Sequence, residues 1–142
     1  MDRAPALDDD ALLAGFASAR LAAGEFRHEE HVRTAFLYLT RNGDLGEAAV
    51  RFRRDLRRFA AAHGAAGRYH ETLTWAYLAL INELAQGSSF ASSAEFLRRH
   101  PELLDQKSGL LSRYYDVESV ARSVRAKQIF LLPQPDPPGR GT

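Results

Sequence analysis

Four histidines are the residues of this chain whose type and spacing are best suited to chemistry. His28 and His31 lie three positions apart, whereas His63 and His70 flank a short segment that contains glycine. Neutral imidazole is a common ligand of zinc, iron(II), copper and manganese. The chain has no cysteine, so a metal site would use histidine, with or without a carboxylate.

The helices that carry these histidines can be read from the spacing of apolar residues. The pattern predicts helices over about residues 27–41, 45–63 and 69–85, joined by short connections. Short connections make consecutive helices run antiparallel, so the start of the second helix, the end of the third and the start of the fourth share one end of a bundle. The side chains expected to point inward at that end are His28, His31, His63 and His70.

Carboxylate and hydroxyl groups close to these histidines could complete a site. Glu25 precedes His28 by three residues and is a candidate further metal ligand. Glu71 directly follows His70, and adjacent helical residues diverge by ~100°, so we expect Glu71 to act as an acid or base, or to orient an imidazole. Thr74 lies one turn after His70 and could hold a substrate group, although its hydroxyl could equally bond back to a helix carbonyl.

Several segments resemble a known family. Residues 26–35 resemble an F-x-H-x-x-H-x-R-x-A element, and residues 69–76 resemble a Y-H-E-T element. Together with residues 103–105, 113–115 and 129–133, they resemble a family of small, mostly uncharacterised bacterial helical proteins over nearly the whole chain. The resemblance supplies no reaction. It implies that five residues belong to the family's motifs: His28, His31, His70, Glu71 and Thr74.

The whole sequence fits one helical domain. It has 142 residues, of which 45% are hydrophobic and 26% are charged, as in ordinary globular proteins. No run of alternating β-branched residues indicates a strand, so we expect an all-α bundle of five to six helices over residues 1–132. The first helix should end at Gly24, the fourth should be central, and the last should cover about residues 117–126. Residues 133–142, rich in proline and glycine, should form a flexible tail.

The charge pattern limits the expected partners. The chain has 19 basic and 18 acidic residues, so we expect no nucleic-acid partner and interpret the basic run of residues 51–58 as a solvated helix face. No apolar run approaches the ~20 residues that span a bilayer, so we expect no membrane partner. The first residues do not resemble a signal peptide, which favours a cytoplasmic location. Apolar helix surfaces could also support a homodimer.

These observations favour a small metal-dependent enzyme that acts on a small-molecule substrate. The cofactor would be a transition-metal ion, namely iron, zinc, copper or manganese, with one coordination position open. Hydrolysis, lyase chemistry and oxygen activation all stay open. The alternative is a non-catalytic helical ligand-binding or accessory protein in which the histidines are structural. The expected ligands are His28, His31 and His70, supported by His63 or Glu25, and the expected catalytic residues are Glu71 and Thr74.

Overall fold

The computed structural model describes residues 7–105 and 109–134. All regular structure in these residues is helical, which confirms the predicted all-α class; the predicted tail lies outside them from residue 135 onward. No described helix is long and apolar enough to cross a membrane. The described α-helices are α1 (Asp9–Ala17), α2 (His28–Asn42), α3 (Leu45–Ala62), α4 (Glu71–Ala85), α5 (Ser93–Arg99), α6 (Val117–Arg122) and α7 (Val124–Gln128). Short 3-10 turns cover Ala23–Glu25, Ala66–Arg68, Pro101–Leu104 and Leu110–Arg113.

Short polar side chains begin several of these helices. The carboxylates of Asp8 and Asp44 accept hydrogen bonds from backbone N–H groups in the first turns of α1 and α3, and the Ser92 hydroxyl does the same for α5. α2 ends at Gly43, whose φ of 83° is readily adopted only by glycine. Local sequence therefore fixes most helix boundaries close to where they are predicted.

α1 is shorter than its apolar pattern predicts. It ends at Ala17 instead of continuing to Gly24, because Ala19 adopts a φ of 59° and the chain turns back. The backbone N–H of Leu21 then donates to the Gly15 carbonyl at 3.2 Å. A Cβ at Gly15 would lie 2.7 Å from Leu21 Cγ, so glycine at this position lets the turn close onto the helix.

The last predicted helix is divided in two. Ser123 adopts an extended conformation between α6 and α7, and its hydroxyl accepts a hydrogen bond from the Ala126 N–H at 3.0 Å. Ser123 therefore caps a new helix instead of continuing the old one. This break is one reason why the described residues contain seven α-helices rather than five or six.

α2 lies at the centre of the bundle, and the prediction that α4 is central is wrong. Every residue from 32 to 39 is buried, and α2 contacts α1, α3, α4 and α5. The apolar pattern hides this burial because Arg33 and Thr34 lie within the buried run. α4 contacts α2 and α3 on one side, and α6 and α7 pack against its other side.

Hydrogen bonds make the burial of Arg33 tolerable. Its guanidinium donates to the Ser93 hydroxyl at 2.7 Å and to the Leu7 carbonyl at 2.6 Å, and it lies 3.3 Å from an Asp9 carboxylate oxygen. Burial alone would raise the pKa of Asp9, but hydrogen bonds from Ser93 and Arg33 hold that pKa below its usual value. This cluster joins α1, α2 and α5.

The C-terminal segment packs back across α4. The Thr72 hydroxyl donates to the Ile129 carbonyl at 2.7 Å and accepts from the Leu131 N–H at 3.0 Å. The Tyr115 hydroxyl donates to the Leu131 carbonyl at 2.9 Å. These bonds hold the segment that contains α6 and α7 over the first half of α4, where it forms one wall of a cavity.

Candidate functional site

A cavity of about 820 Å³ lies between α2, α3, α4 and the segment that contains α6. The four histidines predicted to share one end of the bundle, His28, His31, His63 and His70, all line it. Helix periodicity and the short connections between α2, α3 and α4 account for this placement. The structure therefore brings together residues that are up to 42 positions apart in the sequence (from His28 to His70).

The cavity has a polar end and an apolar end. Along α4 its wall runs from His70 to Ile81, which corresponds to about 16 Å of helix at ~1.5 Å per residue. The imidazoles lie where α2 begins and α3 ends, beside the turn that contains Arg68 and Tyr69. The opposite end is lined by Ala35, Leu78 and Ile81.

His70 is a helix cap. Its Nδ1 accepts the Leu73 backbone N–H at 3.1 Å, which shows that Nδ1 carries no proton. The protonated Nε2 therefore donates to the Val120 carbonyl, 2.9 Å away on α6. Both ring nitrogens are engaged in the folded chain, so His70 has no free lone pair for a metal ion or a ligand.

His28 uses one ring nitrogen to hold the chain after α5. Its Nε2 lies 2.8 Å from the Leu103 carbonyl, an acceptor, so Nε2 carries the proton that it donates. In the neutral ring Nδ1 is then an unprotonated acceptor. The ring edge meets Tyr77 on α4, with the ring centroids 5.3 Å apart.

The ring of His31 makes no hydrogen bond to the described part of the chain. Its ring meets Phe26 and Phe52 edge-on, with centroid distances of 4.9 Å and 6.0 Å. Burial, with a smaller contribution from the nearby His28, lowers the pKa of His31 to about 4. His31 is therefore a neutral imidazole on the cavity wall at neutral pH, able to accept one hydrogen bond and donate another.

His63 follows the last residue of α3. Its ring packs against Phe59, with the centroids 4.5 Å apart. Its Nε2 is buried, and none of the described residues gives this atom a hydrogen-bond partner.

The imidazoles do not form a preassembled metal centre. Nowhere in residues 7–105 and 109–134 do three histidine, aspartate or glutamate side chains lie close enough together to hold one ion. The predicted ligand Glu25 is exposed, and its carboxylate accepts the Ala22 backbone N–H at 2.9 Å. Binding of one metal ion by three of these side chains would require at least one of them to move.

Glu71 is buried outside the cavity wall, where it joins α3 to α4. Its carboxylate accepts hydrogen bonds from Arg53, at 2.6 Å, the Tyr69 hydroxyl, at 2.6 Å, and the Trp75 indole, at 2.9 Å. Burial would raise the pKa of Glu71, but these bonds lower it overall. The carboxylate is therefore ionised and fully occupied by donors, which suits a structural role better than the predicted acid–base role.

Thr74 lines the cavity, but its hydroxyl donates to the His70 carbonyl at 2.7 Å. This is the bond within the helix that the sequence left as an alternative to substrate binding. The hydroxyl oxygen can still accept a hydrogen bond from the cavity side.

Arg68 is a lining residue that sequence reasoning missed. It lies in the turn between α3 and α4, two positions before His70, and it is exposed. Its guanidinium forms no hydrogen bond or ion pair with the described residues. The residues that α6 contributes, such as Val117 and Ala121, were also missed, because no local pattern indicates that α6 packs over the start of α4.

The basic run on α3 is paired with specific carboxylates. Asp55, which is buried, accepts from Arg58 at 2.6 Å and from the Tyr38 hydroxyl at 2.6 Å. The other arginines of the run pair as follows: Arg51 with Glu47, Arg53 and Arg57 with Glu71, and Arg54 with Asp55. The run therefore stabilises the packing of α3 rather than forming an uncompensated basic surface.

Comparison of the chain with protein-family models, with curated proteins and with solved structures finds no match. The resemblance to a family of small bacterial helical proteins therefore stays a prediction. The geometry of the cavity is therefore the basis for the function proposed for this protein.

Proposed function

We propose that this protein binds a small, mainly apolar organic molecule in the cavity between α2, α3, α4 and α6. The observation that carries this proposal is the size of the cavity, about 820 Å³, together with its division into an imidazole end and an apolar end. Small-molecule sites typically measure ~300–1,000 Å³ and combine an apolar wall with a few polar groups. The side chains of this cavity fit that description.

The polar groups available to such a molecule can be named. The ring of His31 is neutral and makes no hydrogen bond to the described residues, and Nδ1 of His28 is an acceptor when the His28 ring is neutral. Both rings are held by aromatic neighbours, so a ligand would meet groups that are already oriented. These two histidines would orient the ligand, and the apolar end would supply most of the binding free energy.

The test is the binding of the uncharged fluorescent probe N-phenyl-1-naphthylamine. Ala60 lines the cavity from α3, and Ala79 is exposed on α4 away from it. We expect the probe to bind the unaltered protein, Ala60→Phe to weaken binding at least about tenfold by filling the cavity, and Ala79→Phe to leave it unchanged. Absence of probe binding, or equal binding by both variants, would contradict the proposal. Circular dichroism checks that both variants are folded.

A second candidate is the metal-dependent enzyme predicted from the sequence. It is favoured by one observation: His28, His31 and His63 line one cavity, and none of them uses all of its ring nitrogens in hydrogen bonds to the described residues. A metal bound there would supply a polarised water or an open coordination position for a substrate. Such a site requires at least one imidazole to move toward the others.

Elemental analysis tests this candidate. The protein would be purified without chelator and reconstituted in turn with iron(II), zinc, copper and manganese. The metal hypothesis predicts about one equivalent of one metal, which His31→Ala and His28→Ala each remove. His70→Asn is the matched control, because both ring nitrogens of His70 already have protein partners. No bound metal under any condition would remove this candidate.

A further inference from the structure

We infer that the ligand of this cavity is an elongated amphiphile with an anionic head group, which pairs with Arg68 at the cavity mouth. This inference rests on the proposed function and names the chemical class of the ligand. It rests on two observations. The cavity is polar at one end and apolar at the other, and the exposed Arg68 lies at the polar end.

The shape of the cavity favours an elongated molecule. Its wall follows about 16 Å of α4, three turns from His70 to Ile81. The far end, at Ala35, Leu78 and Ile81, offers no polar side chain, and these three residues are buried. An apolar tail can fill this end without leaving a polar group unpaired, whereas a polar head there would lose its hydrogen bonds to water.

The position of Arg68 places the head group at the other end. Among the described lining residues Arg68 is the only arginine or lysine. It is exposed and has no ion-pair partner in the described residues, in contrast to the arginines of α3. Its guanidinium presents a forked set of N–H donors that matches a carboxylate.

Two carboxylates at the mouth could instead favour a cationic head, but both are already engaged. Asp116 accepts the Ser119 N–H at 3.2 Å and thereby caps α6, and Glu118 pairs with Arg122 at 3.2 Å. Arg68 is therefore the charged lining residue whose side chain has neither a hydrogen bond nor an ion pair to the described residues. The neutral imidazole of His31 adds an N–H group that can donate to a carboxylate head, since its ring makes no hydrogen bond to the described residues.

The experiment compares decanoate, 1-decanol and decylammonium, which carry similar saturated tails and differ in head-group charge. Their affinities are measured by displacement of N-phenyl-1-naphthylamine, whose binding does not depend on charge. We expect decanoate to bind about fivefold more tightly than 1-decanol, which is the size of effect expected for one exposed ion pair, and decylammonium to bind most weakly. High salt should reduce the preference for decanoate.

The variant Arg68→Gln should abolish the preference for decanoate while leaving the affinity for 1-decanol unchanged. Arg98→Gln is the matched control, since Arg98 is an exposed arginine on α5 that does not line the cavity. Equal binding of decanoate and 1-decanol, or a preference that survives Arg68→Gln, would overturn this inference and leave the proposed function standing. Failure of all three compounds and of the probe to bind would overturn the proposed function as well.

Discussion

At the scale of single residues, the partners of each ring nitrogen distinguish the four cavity histidines. Both ring nitrogens of His70 form hydrogen bonds to backbone groups, whereas one ring nitrogen of His28 does so. Neither ring nitrogen of His31 forms a hydrogen bond to the described residues, and burial keeps the ring neutral. The sequence pattern predicted His28, His31 and His70 alike as ligands. The structure shows that His31 and His28 have ring nitrogens available to a ligand, whereas His70 has none.

The depressed pKa of His31 predicts how stability depends on pH. Its folded pKa is about 4, below its ordinary value of 6.5, so the unfolded chain takes up a proton between these values that the folded chain does not. This contribution to stability is complete above pH ~6.5 and is lost as the pH falls toward ~4. We expect the wild type to lose up to about 3 kcal/mol more than His31→Leu over this window.

Urea denaturation of the two proteins at several pH values between 7.5 and 4 measures this difference. Carboxylates titrate in the same range, but they contribute equally to both proteins, so the comparison isolates His31. Identical losses in the two proteins would show that His31 is protonated as readily in the folded chain as in the unfolded one.

At the scale of helices, His70 at the start of α4 contacts the backbone of two helices, α4 and α6. His70 caps α4 through Nδ1 and binds α6 through Nε2. A histidine spaced three and seven residues before apolar positions suggests a buried face, but periodicity gives no sign that its ring will turn back to cap its own helix. The capping role also explains why α4 begins at Glu71 rather than at Tyr69 as predicted.

Two variants of His70 separate its roles. Asparagine is a good N-cap but cannot reach Val120 in the same way, whereas alanine removes both contacts. We expect His70→Ala to lower the free energy of unfolding by about 2 kcal/mol and His70→Asn by about 1 kcal/mol. Chemical denaturation at pH 7.5 measures both values, and equal losses in the two variants would mean that the cap contributes nothing.

At the scale of the whole molecule, the C-terminal segment returns to α4 and forms one wall of the cavity. Thr72 is fully buried and makes two hydrogen bonds to this segment. Thr34, on α2, is also fully buried, but its hydroxyl has no partner among the described residues. The two threonines form a matched pair, because the change to valine keeps the shape at both positions and removes only the hydroxyl.

The two changes should have different effects. Thr72→Val leaves the Ile129 carbonyl and the Leu131 N–H without their partner, so we expect a loss of about 1–3 kcal/mol in the free energy of unfolding. The Leu131 amide should also exchange its hydrogen faster. Thr34→Val removes a buried hydroxyl without a partner, so we expect unchanged or increased stability. Equal destabilisation by both variants would contradict the role of Thr72 in holding the segment.

The sequence by itself determined the helical class, most helix boundaries and the placement of four histidines at one end of the bundle. Capping residues, 3.6-residue periodicity and short connections act locally, so they can be read from the sequence. Tertiary structure decided that α2 is central, since its buried Arg33 is satisfied by Ser93, a residue 60 positions away. It also decided that Glu71 binds arginines of α3, and that α6 forms part of the cavity wall. These outcomes depend on contacts between segments that are distant in the sequence, which helix propensity and periodicity do not describe.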